Sequence, residues 1–289
     1  MDRLVLGGAS WNRMIYCDTL PDGRSATVFG ARYVDGVGST GVGKAFALRA
    51  LGHDPVLHGV LGDDDRGRLV HGALAARGVR AIVDIDPAHA TPHHVNLMDG
   101  AGRRVSYLLE NGGAKPQVDR AQLAPLIAEA DVIFASITAS TRPILDLVAA
   151  ADALVQVDLH DWDEVNDYHR AFIEVADIVQ VSDENLSNPA VTAEALLCGR
   201  AREVVMTEGA AGADVFDAER CVHVPAVPAE VRASNGAGDA FGVVYTLARK
   251  AGLSVPDAGR QAAEVAAQVV ASDEIVPENL NAWRGSQLP

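Results

Sequence analysis

The sequence Ser234-Asn235-Gly236-Ala237-Gly238-Asp239-Ala240-Phe241 is followed by an apolar segment, residues 242–250, with the pattern of a buried helix. Small residues directly before a helix let backbone N–H groups approach an anion, and the helix dipole adds about half a positive charge there. A carboxylate in the first turn, here Asp239, is placed to accept a proton from an attacking hydroxyl. The segment therefore has the parts that phosphoryl transfer requires. An ordinary loop with Asp239 as a helix-capping acid remains the alternative.

Short apolar runs alternate with helical patterns along the rest of the chain. The runs that predict buried strands are residues 4–6, 56–60, 132–135, 154–157, 178–181 and 204–207. The helical patterns between and after them are residues 44–51, 66–77, 142–150, 193–198 and 262–270. Such alternation predicts βαβ units and a mostly parallel sheet with helices on both faces.

Two segments interrupt this alternation. Residues 25–34 predict a strand with no helix after it, and residues 94–109 predict two strands around the turn Asp99-Gly100-Ala101-Gly102. These strands are expected to pair into a small sheet apart from the main one. We therefore predict a single domain over residues 1–289, with a β lid formed from about 12–35 and 93–110. Because exposed lid edges tend to be covered, we also expect a homodimer through the lid.

Composition and charge exclude several classes of partner. The 289 residues are 48% hydrophobic and 22% charged, which is typical of a globular protein, and the net charge of −15 argues against binding nucleic acid or anionic membranes. No apolar stretch approaches the roughly 20 residues that span a bilayer, and the amino end does not resemble a signal peptide. Cys17, Cys198 and Cys221 are isolated, which suits a reducing compartment. The expected location is the cytoplasm.

The segment Gly236-Ala237-Gly238-Asp239 resembles the late signature of the ribokinase (PfkB-type) carbohydrate kinases. Other segments resemble motifs of that family in the same chain order: residues 4–8, 38–52, 61–67 and 207–212. The resemblance implies a ribokinase-like three-layer α/β/α fold with a mostly parallel central sheet and a small β-sheet lid. It further implies an ATP-dependent kinase that phosphorylates a hydroxyl of a sugar or sugar derivative.

The resemblance also implies a set of site residues. Asp239 would be the catalytic base, and Gly236, Ala237 and Gly238 would form the anion hole. ATP would bind at Thr207, Gly209, Gly212 and Asn235. The acceptor would bind at Asn12, Gly38, Ser39 and Gly43, and Glu184 would hold Mg²⁺.

Several positions depart from the family pattern. Ala233 stands where the family usually has an Asp that helps to hold a monovalent cation, which puts potassium activation in doubt. Asn12 replaces a substrate-binding Asp, and Gly43 replaces an Asn, so an acceptor other than ribose is expected. In the segment Ser182-Asp183-Glu184-Asn185 the acids are shifted relative to the metal-organising Asn-x-x-Glu of the family.

Alternatives remain for the function. The chain could be a nucleoside kinase of the same family, or a catalytically weak sugar-binding or regulatory protein, although binding alone does not need the base Asp239.

Alternatives also remain for individual residues. Residues 38–44 fit the P-loop spacing, but Ala45 replaces the Ser or Thr that would hold Mg²⁺. We instead expect Lys44 at the surface of a helix amino end. The clustered histidines, His89, His93 and His94, lack zinc-ligand spacing. Asp158 ends a buried strand, where a role beside the substrate or phosphate is an open alternative.

Overall fold

The computed structural model of this protein describes residues 3–25, 27–100 and 103–280. Its strands are β1 (Arg3–Leu6), β2 (Ser10–Cys17), β3 (Arg32–Gly38), β4 (Val56–Gly62), β5 (Arg80–Asp86), β6 (His93–Asp99), β7 (Arg104–Glu110), β8 (Val132–Ser136), β9 (Leu154–Asp158), β10 (Ile178–Ser182), β11 (Glu203–Thr207), β12 (Gly212–Phe216) and β13 (Cys221–Pro225). Its helices are α1 (Thr40–Ala50), α2 (Asp65–Ala76), α3 (Arg120–Ala128), α4 (Leu145–Ala150), α5 (Arg170–Ile173), α6 (Pro189–Leu197), α7 (Ala237–Lys250) and α8 (Val255–Val270). Across these described ranges, no helix combines the length and the apolar character needed to cross a membrane.

Nine strands form one large sheet in the order β13-β12-β11-β10-β9-β8-β1-β4-β5. The strands from β11 to β5 pair in parallel, whereas β12 and β13 at one edge pair antiparallel. Strand β1 shows how both faces are covered. Val5 belongs to the apolar core shared with α1, α2, α7 and α8, whereas Leu4 and Leu6 belong to the core shared with α3 to α6. The predicted three-layer α/β/α architecture is confirmed.

The other four strands form a separate sheet in the order β3-β2-β6-β7. Strand β2 pairs antiparallel with β3 and parallel with β6, and β6 forms the predicted hairpin with β7. Ala101 and Gly102 of its predicted turn lie outside the described residues. The small β-sheet of the predicted fold class is therefore present. Its edge strands carry exposed large apolar side chains: Tyr33, Val34, Val105, Tyr107, Leu108 and Leu109.

The structure also differs from the sequence-based expectation in several elements. All six strands predicted from apolar runs are present, but the strand predicted at residues 25–34 is wrong over most of its length, because β3 begins only at Arg32. Strands β2, β5, β12 and β13 were not predicted. Each mixes polar and apolar residues, because it lies in the small sheet or at or next to an edge of the large one. Helix α3 was not predicted either.

A buried polar contact anchors α7 to the large sheet. The Tyr245 hydroxyl donates to Glu203 Oε2 at 2.5 Å, and Arg249 Nη2 donates to Glu203 Oε1 at 2.6 Å. Burial, together with the neighbouring Glu203 carboxylate, raises the pKa of the Tyr245 hydroxyl. Because Glu203 is the first residue of β11, these bonds hold the carboxyl-terminal half of α7 at the amino end of the strands. The amino end of α7 therefore lies at their carboxyl edge.

Helix α1 begins against the backbone that follows β1. A Cβ added to Gly41 would lie 2.5 Å from the carbonyl oxygen of Gly8 and 2.8 Å from the carbonyl carbon of Gly7. Backbone atoms cannot turn aside as the end of a flexible side chain can. Glycine is therefore required at this position for α1 to pack as closely as it does.

We expect Gly41→Ala to lower the free energy of unfolding by about 1–3 kcal/mol, the usual cost of overpacking a close-packed interior. Gly72→Ala in α2 is the matched control, because nothing lies within 4 Å of its added Cβ. Alanine should stabilise that helix by roughly 0.5–1 kcal/mol. Urea unfolding followed by circular dichroism measures both changes. Equal stability changes in the two variants would contradict the close-packing argument.

Candidate active site

The backbone at the amino end of α7 is shaped for close approach. Gly236 is the N-cap with a φ of 83°, a left-handed conformation that favours glycine. A Cβ at Gly236 would also collide with the carbonyl oxygen of Ile275. Gly236 has no side chain with which to cap this helix end. The first-turn N–H groups, including those of Ala237 and Gly238, therefore form a site suited to an anion.

Asp239 lies in the first turn of α7 with its side chain 12% exposed. Its Oδ1 accepts a hydrogen bond from Thr40 Oγ1 at 2.5 Å and another from Lys44 Nζ at 2.6 Å. Both partners belong to α1, so the carboxylate faces a neighbouring helix instead of capping its own. This geometry argues against the helix-capping interpretation.

Lys44 is fully buried, so the prediction of a surface position is wrong. Its Nζ donates to Thr40 Oγ1 at 2.7 Å and Asp158 Oδ2 at 2.9 Å, in addition to Asp239. Burial by itself would lower the pKa of the ammonium. The carboxylates of Asp158 and Asp239 outweigh burial and raise that pKa to about 12. The physical reason for its burial is that most of α1 lies within the core, with Gly41 to Leu48 all buried.

Asp158 is the last residue of β9 and is buried beside this ammonium. Its Oδ1 accepts a hydrogen bond from the backbone N–H of His160 at 2.9 Å. Burial acts to raise the pKa of Asp158, but the Lys44 ammonium and then His160 outweigh it and lower the pKa to about 2. The carboxylate is therefore ionised near neutral pH. Lys44 links it directly to Asp239.

Gly43 lies under the carboxylate of Asp239. A Cβ added to Gly43 would lie 2.8 Å from Asp239 Cγ and would collide with Oδ2. The side chain of Asp239 can lean onto α1 only because residue 43 has none. We predicted Gly43 as an acceptor-binding residue, and the structure places it against the predicted base.

The other predicted acceptor residues meet where the small sheet joins α1. Asn12 is buried, and its Oδ1 accepts a hydrogen bond from the backbone N–H of His94 at 3.1 Å. Gly38 packs against this amide so closely that a Cβ would collide with Asn12 Nδ2. Ser39 follows as the N-cap of α1, with a φ of 82°. The structure thus brings Asn12, Gly38 and Ser39 together in one polar group.

The predicted nucleotide residues fall in two places. Thr207 ends β11, Gly209 begins the 3₁₀ turn Gly209–Ala211, and Gly212 begins β12 with a φ of 116°. These three lie around one turn at the carboxyl edge of the large sheet. The side chain of Asn235 instead contacts the small sheet, where its Oδ1 accepts from Arg104 Nη1 at 2.9 Å. A nucleotide-binding role for Asn235 stays a prediction.

Comparison with known proteins identifies the family to which this chain belongs. The profile of the pfkB family carbohydrate kinases matches residues 14–277. This chain belongs to that family. It is a phosphotransferase with an alcohol group as the acceptor, and the expected ribokinase-like fold is confirmed.

Three relatives illustrate the similarity of this PfkB kinase to characterised proteins. The acarbose 7(IV)-phosphotransferase of Actinoplanes sp. is 33% identical over 248 residues, covering 83% of this chain and 82% of the relative. A solved structure of a microbiome-derived acarbose kinase is 30% identical with a TM-score of 0.84, covering 94% of this chain and 93% of that one. The Arabidopsis thaliana ribokinase complexed with ribose and ATP is 20% identical with a TM-score of 0.77, covering 96% and 95%.

Carboxylates collect at the ends of β10 and β11 in this PfkB kinase. Asp183 and Glu184 lie in a 3₁₀ turn directly after β10, and Glu208 follows β11. Burial, then the neighbouring Asp214 and Asp183, raise the pKa of the Glu208 carboxyl. The carboxylates of Asp214 and Asp183 are thus close enough to act on Glu208, and carboxylate oxygens fit Mg²⁺. Glu184 is exposed, and its role as a metal ligand stays a prediction.

The remaining alternatives from the sequence find little support. A P-loop would direct the lysine to the phosphates of the nucleotide, whereas Lys44 binds two carboxylates of the protein itself. Among the described residues, Glu208, Asp214 and His223 lie close enough together to hold a metal ion. His89, His93 and His94 do not belong to this group. Ala233 is buried, and the expectation of weak potassium activation stays a prediction.

Sequence reasoning missed the inward orientation of Thr40 and Lys44. One signal was available: Thr40, Lys44 and Leu48 are spaced four residues apart and share a helix face. Because Leu48 is apolar, that stripe predicts a face directed to the core. The partners of Lys44 carried no such signal, because Asp158 and Asp239 lie 114 and 195 residues further along the chain.

We expect Gly43→Ala to reduce turnover by about 10²-fold, because the new Cβ would displace the Asp239 carboxylate. Moving a reacting group by about 1 Å typically costs about that much in rate. Steady-state kinetics with the best acceptor, together with calorimetric titration of ATP, measures the change. ATP affinity should stay within about threefold, and Gly72→Ala serves as the control. Full turnover in Gly43→Ala would show that the position of Asp239 does not matter.

Proposed function

We propose that this kinase transfers the γ-phosphoryl group of ATP to a hydroxyl of a sugar derivative, with Asp239 as the general base. The observation that carries the proposal is the placement of Asp239. Its carboxylate lies in the first turn of α7, next to the N–H groups that follow the glycine N-cap, with Oδ1 fixed by two bonds to α1. A base and an anion site within one helical turn are what phosphoryl transfer to a hydroxyl requires.

The reaction follows from these groups. Asp239 accepts the proton of the acceptor hydroxyl at Oδ2, while the acceptor oxygen forms a bond to the γ-phosphorus and the bond from that phosphorus to the bridging oxygen breaks, releasing ADP. The backbone N–H groups at Gly236 to Gly238 stabilise the charge that spreads over the transferring oxygens. Mg²⁺, bound with the nucleotide near Asp183, Glu184 and Glu208, would neutralise the phosphates.

The relatives favour acarbose, or a similar sugar derivative, as the acceptor. The curated relative at 33% identity and the solved structure at 30% identity are both named for acarbose. The proposed acceptor residues Asn12, Gly38 and Ser39 offer polar groups without a charge, which suits the hydroxyls of a sugar. Thr207, Gly209 and Gly212 are proposed to line the ATP site.

Assembly and location extend the proposal. The exposed apolar side chains on the edge strands β3 and β7, including Tyr33 and Tyr107, support a homodimer through the small sheet. The three cysteines are unpaired in the structure, which supports a reducing compartment such as the cytoplasm.

An acceptor screen tests the function. We expect acarbose to give a kcat/KM at least about tenfold above ribose, fructose and adenosine, since one well-placed hydrogen bond to a substrate hydroxyl is worth about a factor of ten. ADP formation is measured with a coupled assay at fixed ATP and Mg²⁺. Adenosine as the best acceptor would indicate a nucleoside kinase. Sugar binding without ADP formation would indicate a binding protein.

A second test addresses the base. We expect Asp239→Asn to lower turnover by about 10²–10⁴-fold, because an amide cannot accept the hydroxyl proton. ATP affinity, measured by calorimetry, should change by less than about threefold, since no proton moves in the binding step. Asp257→Asn, in the first turn of α8, is the matched control and should keep full turnover. Near-native turnover in Asp239→Asn would refute the assignment.

A further inference from the structure

The ammonium of Lys44 has no donor left for a substrate. It has three N–H groups, and its three acceptors are Thr40 Oγ1, Asp158 Oδ2 and Asp239 Oδ1. The side chain is fully buried. Lys44 therefore cannot bind ATP or an acceptor without giving up one of these bonds, so a role in catalysis has to act through its neighbours.

The two oxygens of Asp239 have different environments. Oδ1 accepts the bonds from Lys44 and Thr40, whereas Oδ2 lies over the backbone of Gly43, in the space that a side chain there would fill. A carboxylate held at one oxygen cannot rotate freely about its terminal torsion. The other oxygen is thereby presented in one fixed direction, which is the requirement for a general base.

We propose that Lys44 is a positioning residue that holds Asp239 Oδ1, so that Oδ2 is the oxygen that accepts the proton of the acceptor hydroxyl. Asp158 fixes Lys44 from the opposite side, and Gly43 leaves the room in which Asp239 reaches it. The inference rests on the proposed role of Asp239 as the base. It adds three residues, Lys44, Asp158 and Gly43, that act on the base without contacting substrate.

The charges around Lys44 make it a permanent cation instead of a proton relay. The charged groups that face it are Asp158 from β9 and Asp239 from α7. His160 Nδ1 lies 3.7 Å from Asp158 Oδ1. Gln156 and Gln180, which bond to each other on β9 and β10, are neutral. The pKa of about 12 keeps the ammonium protonated through the physiological range. The cluster of Lys44, Asp158 and Asp239 then carries one net negative charge when all three are ionised.

Removing the ammonium has a predictable electrostatic sign. Without Lys44, the carboxylates of Asp158 and Asp239 are buried next to each other with no cation between them. Like charges and burial both favour protonation, so the apparent pKa values of the pair rise. Because the base must be deprotonated to act, the acidic limb of the kcat profile would move to higher pH. Loss of a residue that only stabilises the fold, without acting on Asp239, would not move that limb.

The decisive variants are Lys44→Met, which leaves two facing carboxylates, and Lys44→Met with Asp158→Asn, which removes one charge of each sign. We expect kcat to fall by about 10²-fold in the double variant, as for a displaced reacting group, with the KM for ATP within about threefold of the native value. The acidic limb should move upward in both variants and further in Lys44→Met. Turnover is measured from about pH 5 to 9 with acarbose as the acceptor, or with the best acceptor found in the screen.

The matched control is Arg249→Met with Glu203→Gln, which removes a partly buried ion pair at the far end of α7. It should lower the melting temperature but leave kcat within about twofold of the native value and the acidic limb at its native pH. The pair shares no partner with Lys44 or Asp239 and lies at the opposite end of α7. Thr40→Val supplies a variant of unchanged charge if the double variant does not fold. It removes one bond to Oδ1 and should lower kcat about tenfold, equivalent to one hydrogen bond.

The outcomes separate this inference from the proposed function. Native kcat and an unchanged acidic limb in the folded double variant would overturn the positioning role. Native kcat in Thr40→Val would overturn it too. Lys44 would then only stabilise the fold. If Asp239→Asn keeps its turnover in the same assay, the base assignment fails as well. An inactive Asp239→Asn beside a fully active double variant would overturn only the role of Lys44.

Discussion

One buried ammonium links the three elements that meet at the site. Taking an ammonium out of water costs several kcal/mol unless it is neutralised and fully hydrogen-bonded. Lys44 on α1 meets this requirement only when β9 brings Asp158 and α7 brings Asp239 within hydrogen-bond distance. These residues are far apart in the sequence. The local geometry of the site therefore depends on the packing of α1 and α7 against the large sheet, and not on any single loop.

The sequence could predict what is local and could not predict what this packing creates. Gly236 and Asp239 were predictable, because a tight glycine turn and a first-turn acid lie within four residues of each other. The buried strands were predictable from their continuous apolar runs, whereas β5 was not, because its edge position leaves every one of its residues at least partly exposed. Lys44 was mispredicted because a lysine near a helix start is normally solvated, and its carboxylate partners become neighbours only in the folded chain.

The small sheet and the large one approach each other through polar contacts beside the anion site. Arg104 of β7 donates to Asn235, the residue before the N-cap of α7, and Arg32 of β3 pairs with Asp273. These pairs are exposed, so each contributes little stability by itself. Their value is geometric, because they hold the small sheet, with Asn12, near the end of α7. The acceptor side and the phosphate side of the proposed site are thus joined by bonds that water can readily replace.

Gly43 and Lys44 constrain each other although they contact Asp239 from different directions. A change of Gly43→Asn, toward the residue common in the family, would place an amide where Asp239 Oδ2 now lies. The carboxylate would have to leave α1, and the buried ammonium would lose one of its three acceptors, at a cost far above that of an exposed bond. A change at Gly43 therefore displaces Asp239, and a change at Lys44 leaves Asp239 without its cation. Asn12, Gly38 and Ser39 make no hydrogen bond to this ion cluster among the contacts of the described chain, so acceptor preference can vary there while the proposed base stays in place.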